Sequence, residues 1–133
     1  MITKIEHIGI AVNDLNKAIR FYEEVMGLTC YAIEEVKSQK VKTAFFRIGE
    51  VKIELLEATD NESPVHKFIE RNGEGVHHIA YATENLPDAL NQISSKGVRL
   101  IDQTPRKGAE GLDIAFLHPK STLGVLTELC RKP

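Results

Sequence analysis

Glu6-His7-Ile8-Gly9-Ile10-Ala11-Val12-Asn13-Asp14-Leu15-Asn16-Lys17-Ala18 returns later in the same chain as His77-His78-Ile79-Ala80-Tyr81-Ala82-Thr83-Glu84-Asn85-Leu86-Pro87-Asp88-Ala89. At one constant offset, His7 falls on His78, Ile8 on Ile79, Ala11 on Ala82, Leu15 on Leu86 and Ala18 on Ala89. Each copy opens with alternating β-branched residues, the pattern of a strand, then meets a polar break and continues with apolar residues at helical spacing. Asp14 is placed to cap the first helix, and Leu15, Ala18, Ile19, Tyr22, Val25 and Met26 line one face of it up to Gly27, which suits a C-terminal cap. A duplication that sets a histidine at the start of each half can place two imidazoles around one pseudo-two-fold axis, an arrangement suited to a metal.

Outward from the first copy, strands are expected at Ile5 to Val12, Thr29 to Val36, Val41 to Ile48 and Val51 to Glu57. The last two are joined as a hairpin at Gly49-Glu50. The first half therefore reads βαβββ. A polar stretch from Asp60 to Gly75 connects the halves and carries a short helix over Pro64 to Asn72, proline being tolerated in a first helical turn. The second half repeats the order. Its expected elements are a strand at Val76 to Thr83, a helix from Pro87 to Lys96 ended by Gly97, a strand at Val98 to Asp102, a glycine-rich loop from Lys107 to Gly111, and strands at Leu112 to Leu117 and Gly124 to Cys130. The fold class is α+β: two βαβββ modules in pseudo-two-fold repeat, forming a half-open, barrel-like sheet around a metal site. One domain, 1–133, is expected, with module one at 1–59, the connector at 60–75 and module two at 76–133.

Composition narrows the partners. With 133 residues, 42% hydrophobic content and a net charge of -2, the chain has the balance of an ordinary globular domain and no basic stripe for a phosphate backbone. Nucleic acid is not an expected partner. No stretch approaches the roughly 20 apolar residues that cross a bilayer, and the N-terminus lacks a signal-peptide core, so the expectation is a cytoplasmic protein with no membrane partner. Cys30 and Cys130 form no CxxC motif and read as reduced, small hydrophobes.

The repeat makes a second, independent statement. Aligning the last strand of each module sets Val51-Lys52-Ile53-Glu54-Leu55-Leu56 against Gly124-Val125-Leu126-Thr127-Glu128-Leu129 and pairs Glu54 with Glu128. Taken singly, a histidine near a strand start is more often a half-buried polar residue than a ligand. A glutamate between Ile and Leu in a strand usually faces solvent. Recurrence of both at matching positions is harder to obtain by accident. His7, Glu54, His78 and Glu128 form a mixed nitrogen and oxygen set that suits a divalent first-row ion such as Co, Ni, Mn, Fe or Zn. His77 points to the opposite strand face from His78, and His78 is the one that aligns with His7. His66 reads as a surface residue, and His118, before Pro119, as a turn residue bonded to backbone.

These residues carry a family resemblance. His7-Ile8-Gly9-Ile10-Ala11-Val12, Phe21-Tyr22, Lys52 to Glu57, Gly73-Glu74-Gly75-Val76-His77-His78-Ile79-Ala80 and Phe116-Leu117-His118-Pro119-Lys120-Ser121-Thr122 with Glu128-Leu129 together resemble the methylmalonyl-CoA epimerases of the vicinal oxygen chelate, glyoxalase-like superfamily. The likeness runs over essentially the whole chain. It implies a divalent metal ion, Co, Ni, Mn or Zn, held by His7, Glu54, His78 and Glu128, and an acyl-CoA substrate whose acidic hydrogen is removed beside a chelated thioester. Glu128 is the first candidate for a base, with Lys120 and Ser121 placed to bind the substrate carboxylate or the CoA phosphates. Some members of the family carry a second glutamate where this chain has Thr43, which leaves Glu54 or a water to supply the second base. The resemblance also implies a homodimer. Three alternatives are lactoylglutathione lyase (glyoxalase I), a ring-cleaving iron dioxygenase and a metal-free small-molecule binding module. The last hairpin, the fourth ligand and retention of all four ligands argue against them in turn.

Overall fold

The computed structural model describes residues 1–132. Eight strands and three helices appear in the order β1 (Ile2–Ala11), α1 (Leu15–Arg20), β2 (Cys30–Val36), β3 (Val41–Ile48), β4 (Val51–Ala58), α2 (Pro64–Asn72), β5 (Gly75–Thr83), α3 (Leu86–Ser95), β6 (Arg106–Lys107), β7 (Asp113–Leu117) and β8 (Thr127–Arg131). The α+β class is as the periodicities require. The chain divides into two compact units, one from His7 to His77 and the other made of Met1–Glu6 with the chain from His78 onward. Met1 and the start of β1, Ile2 to Glu6, thus belong with the C-terminal half.

In the unit from His7 to His77, the strands lie in the order β2-β3-β4-β1. β3 pairs antiparallel with β2 and β4, and β1 runs parallel to β4 with His7 opposite Lys52 and Gly9 opposite Glu54. Period-two alternation then separates two faces. Ala44, Phe46 and Leu55 turn to one side and pack with Val12 and Leu15 against α1. Thr43, Phe45, Lys52, Glu54 and Leu56 take the other side, with His7. α1 starts where expected because the Asp14 carboxylate accepts the Lys17 amide at 3.1 Å. It does not run as a regular helix to Met26. After Arg20 the turn widens into a π segment, Phe21–Val25, in which the Met26 amide reaches the Phe21 carbonyl at 3.2 Å. Gly27, with φ +72°, then ends it in a conformation that costs a residue with a Cβ.

In the other unit, β5, β8, β7 and β6 follow one another, with the start of β1 beside β5. β5 and β8 are parallel, Ala80 opposite Glu128, and β7 pairs antiparallel with β8, Phe116 opposite Glu128. Leu86, Ala89 and Leu90 of α3 cover one face of this sheet through Ala115, Leu117 and Leu129. Asn85 caps α3 by accepting the Asp88 amide at 3.0 Å, the counterpart of Asp14 in the first copy.

Two expected strands differ. Val98 to Asp102 forms no strand, only a single bridge between Leu100 and Leu117. The Ile101 and Asp102 amides both donate to the one Phe116 carbonyl, at 2.9 and 3.2 Å, while the Asp102 carboxylate accepts the Phe116 amide at 2.9 Å and the Arg106 Nε at 3.0 Å, so the bonds converge on one residue instead of running on as a ladder. The partner of β7 is instead Arg106–Lys107. The last strand also begins later than Gly124. Leu123 and Gly124 have φ of +62° and +85°, and the Thr122 and Thr127 hydroxyls both donate to the Val125 carbonyl, which holds this stretch as a turn.

Candidate metal and proton-transfer site

Each unit carries one buried histidine and glutamate pair at the position the repeat marks. In the first, His7 and Glu54 are each 3% exposed, and His7 Nδ1 lies 3.2 Å from Glu54 Oε2. Parallel pairing of β1 with β4 puts His7 one step along the strand from Glu54 on the same face. In the second, His78 and Glu128 are 5% and 4% exposed, with His78 Nε2 3.3 Å from Glu128 Oε1. Here β5 and β8 run parallel in the same sense, and Phe116 lies edge-on to the His78 ring with centroids 5.6 Å apart. Burying a carboxylate this deeply is costly unless a positive or hydrogen-bonding partner faces it, so both pairs are placed by the fold against its cost.

His77 sits on the opposite strand face, as the period of two requires, and packs edge-on against Phe68 of α2 with centroids 5.0 Å apart. Burial lowers its imidazole from 6.5 to about 4, so it is neutral near pH 7. His66 is half-buried and lies 3.5 Å from Glu70 one helical turn on. His118 Nδ1 accepts the Lys120 amide at 3.1 Å, the backbone role expected of it. Ser121 Oγ accepts the Arg99 amide at 2.9 Å, while the Lys120 side chain is exposed. Ser121 therefore already braces the segment before β6, and its hydroxyl keeps only its proton to offer a ligand.

Sequence reasoning passed over Lys52. It is 3% exposed, its Nζ lies 3.8 Å from Glu54 Oε2, and the ammonium stands 6.0 Å from the Phe45 ring centroid. Lysine is almost never this buried without a partner. The signal was present: Lys52 is two residues from Glu54 and shares its strand face. The unit that holds His78 and Glu128 also has a cavity of about 380 Å³, lined by Lys4, Glu6, Ala82, Cys130, Arg131 and Lys132 among others. Ala82 and Cys130 lie on the face of β5 and β8 that also bears His78 and Glu128, one residue pair further along. Its rim is basic.

A family model for the glyoxalase/bleomycin resistance protein/dioxygenase superfamily matches residues 6–116. Among curated relatives, the ethylmalonyl-CoA/methylmalonyl-CoA epimerase of Cereibacter sphaeroides is 35% identical over 131 residues, covering 97% of this chain and 98% of its own. The chain belongs to the methylmalonyl-CoA epimerase family of that superfamily. The mitochondrial methylmalonyl-CoA epimerase of Dictyostelium discoideum, 36% identical over 132 residues, covers 98% of this chain and 80% of its own length. Among solved structures, a Streptomyces coelicolor methylmalonyl-CoA epimerase in complex with 2-nitronate-propionyl-CoA superposes with a TM-score of 0.96 at 40% identity, over 99% of this chain and 96% of that one. Like these epimerases, the chain carries the eight-strand, three-helix set on which its buried histidine and glutamate pairs are mounted.

Proposed function

We propose that the chain interconverts (R)- and (S)-methylmalonyl-CoA by removing and returning the hydrogen at C2. Relatives named for this reaction match nearly the whole chain. The observation that carries the proposal on this chain's own residues is the buried His and Glu pair repeated in each unit. His7, Glu54, His78 and Glu128 would hold one divalent cation, Co, Ni, Mn or Zn. Two imidazole nitrogens and two carboxylates are a fitting donor set for such an ion. When bound, the cation supplies Lewis acidity that favours the enolate over the thioester.

The remaining work falls to the protein. Glu128 takes the C2 proton, its carboxylate being held in a dry setting where a charge change near it is poorly screened. Lys52, its Nζ 3.8 Å from Glu54 Oε2, offsets the negative charge that Glu54 brings to this buried place. Lys120 and the Ser121 hydroxyl proton are suited to the substrate's carboxylate or the CoA phosphates. The same reading makes the protein a homodimer, on the strength of the family resemblance alone, and keeps the expectation of a cytoplasmic protein. No described helix is long and apolar enough to cross a membrane.

The test is hydrogen exchange at C2 of methylmalonyl-CoA in heavy water, with and without added cobalt, alongside elemental analysis of the purified protein. Exchange with bound divalent metal is expected. Replacement of His78 by Ala should remove metal and turnover together, and His77→Ala should leave both largely intact. Absence of exchange, with isomerisation of the methylglyoxal-glutathione adduct, would assign the site to a lyase instead. Equal metal loss in the two histidine variants would reverse the choice between His77 and His78.

A further inference from the structure

Thr43 is 1% exposed, and its hydroxyl has no hydrogen-bond partner among the described residues. A buried hydroxyl without a partner is disfavoured, so its retention asks for a ligand outside the chain. Its position says which. In the β3–β4 ladder Thr43 lies opposite Leu56 and Phe45 opposite Glu54, so Thr43 and Glu54 share a face one step apart. From strand spacing this sets their Cα atoms roughly 8 Å apart. That face is not the one packed on α1, which takes Ala44, Phe46 and Leu55.

On the other side of Thr43 stands Glu34. β2 pairs with β3 so that Glu34 is directly opposite Thr43, which puts their Cβ atoms about 5 Å apart on the same face. Glu34 is half-buried rather than open to solvent, and the next residue on its own face, Val36, is buried. A carboxylate and an unsatisfied hydroxyl thus sit side by side on the sheet face that bears His7 and Glu54.

We propose that Glu34 and Thr43 together form the second proton station of the epimerisation, with a water held between them. The proposal rests on the reading of the chain as an epimerase. Inversion at C2 needs one group to take a proton from one face and another to give one to the opposite face. In one direction the C2–H bond breaks toward the Glu128 carboxylate, and its electron pair becomes the enolate. A new C2–H bond then forms with a proton from the water. The water recovers a proton from the Glu34 carboxylic acid, so the turn ends with Glu128 protonated and Glu34 ionised, and both reset by exchange with solvent. The reverse direction runs the same transfers backwards. Glu34 is the acid and base of this station, and Thr43 is a positioning residue that orients the water.

The experiment compares wild type, Glu34→Gln, Thr43→Val and the double variant Glu34→Gln/Thr43→Glu, starting from each pure enantiomer in heavy water. Inversion and deuterium entry at C2 are followed separately, with metal content measured on every protein. Wild type shows both exchange and inversion. For Glu34→Gln, inversion is expected to fall at least tenfold while exchange with retention through Glu128 persists and metal content is unchanged. Thr43→Val should lower kcat several-fold with KM nearly constant. Glu34→Gln/Thr43→Glu should regain inversion, because a carboxylate at 43 reaches the same place from the neighbouring strand. Inversion by Glu34→Gln within twofold of wild type overturns the proposal, as does parallel loss of exchange, inversion and metal, which marks a structural role. Failure of the wild type itself to exchange C2 deuterium would instead strike at the epimerase reading.

Discussion

Replacing His77 by Phe tests whether the buried imidazole beside His78 is neutral by burial alone. In the folded protein its affinity for a proton is lowered to about 4, whereas in the unfolded chain it returns to 6.5. The unfolded state therefore binds more protons between those two values, and stability rises with pH across that window. Stability from this group is fully present above about pH 6.5, is lost as pH falls toward 4, and changes no further below it. Each tenfold change in the proton equilibrium is worth about 1.4 kcal/mol, and part of the ring still meets solvent, so the loss is about 2 kcal/mol. Phe fills the same place against Phe68, whose ring lies 5.0 Å away, and cannot take up a proton. Urea unfolding at pH 7.5 and 4.5 on both proteins is the assay. Wild type should lose about 2 kcal/mol more than His77→Phe over this interval, the contributions of the other histidines cancelling in the difference. Identical pH dependence in the two proteins would refute the assignment of a neutral, desolvated His77.

Two further outcomes follow from single contacts. Lys52→Met removes the ammonium 3.8 Å from Glu54 in a buried setting and should lower stability by about 3 kcal/mol without added metal. Thermal unfolding with added divalent cation should then show a larger rise in Tm for the variant than for wild type; an equal rise would separate Lys52 from the charge balance of the site. Gly108→Ala sets a Cβ 2.8 Å from Ile114 Cδ1 and 2.9 Å from its Cγ2, so urea unfolding should show a loss of about 1–3 kcal/mol. No loss would mean that β7 shifts freely, against its packing with Leu112, Phe116 and Cys130.

Much of this was legible because it is local. The match of His7 with His78, and of Glu54 with Glu128, is visible in the two halves of the sequence, and a strand's period of two gives each a face without any knowledge of the partner strand. Asp14 and Asn85 cap their helices for the same reason: the bond spans three residues. That Val98 to Asp102 would make a single bridge was not legible, because the Ile101 and Asp102 amides and the Asp102 carboxylate all turn to Phe116, fourteen positions on from Asp102. The widening of α1 after Arg20 escaped too, since Phe21 to Met26 keeps helical spacing in sequence.

By itself, then, the sequence determined which residues recur in the two halves, which side of its strand each occupies and where helices begin, all consequences of backbone period and of bonds closed within a turn. Tertiary structure alone decided that Lys52 lies buried against Glu54, that Glu34 stands across from Thr43, whose hydroxyl has no partner among the described residues, and that Arg106–Lys107 replaces an expected strand beside β7. Those outcomes depend on strand register and on what distant segments leave unsatisfied. Neither quantity has any trace in a local window of residues.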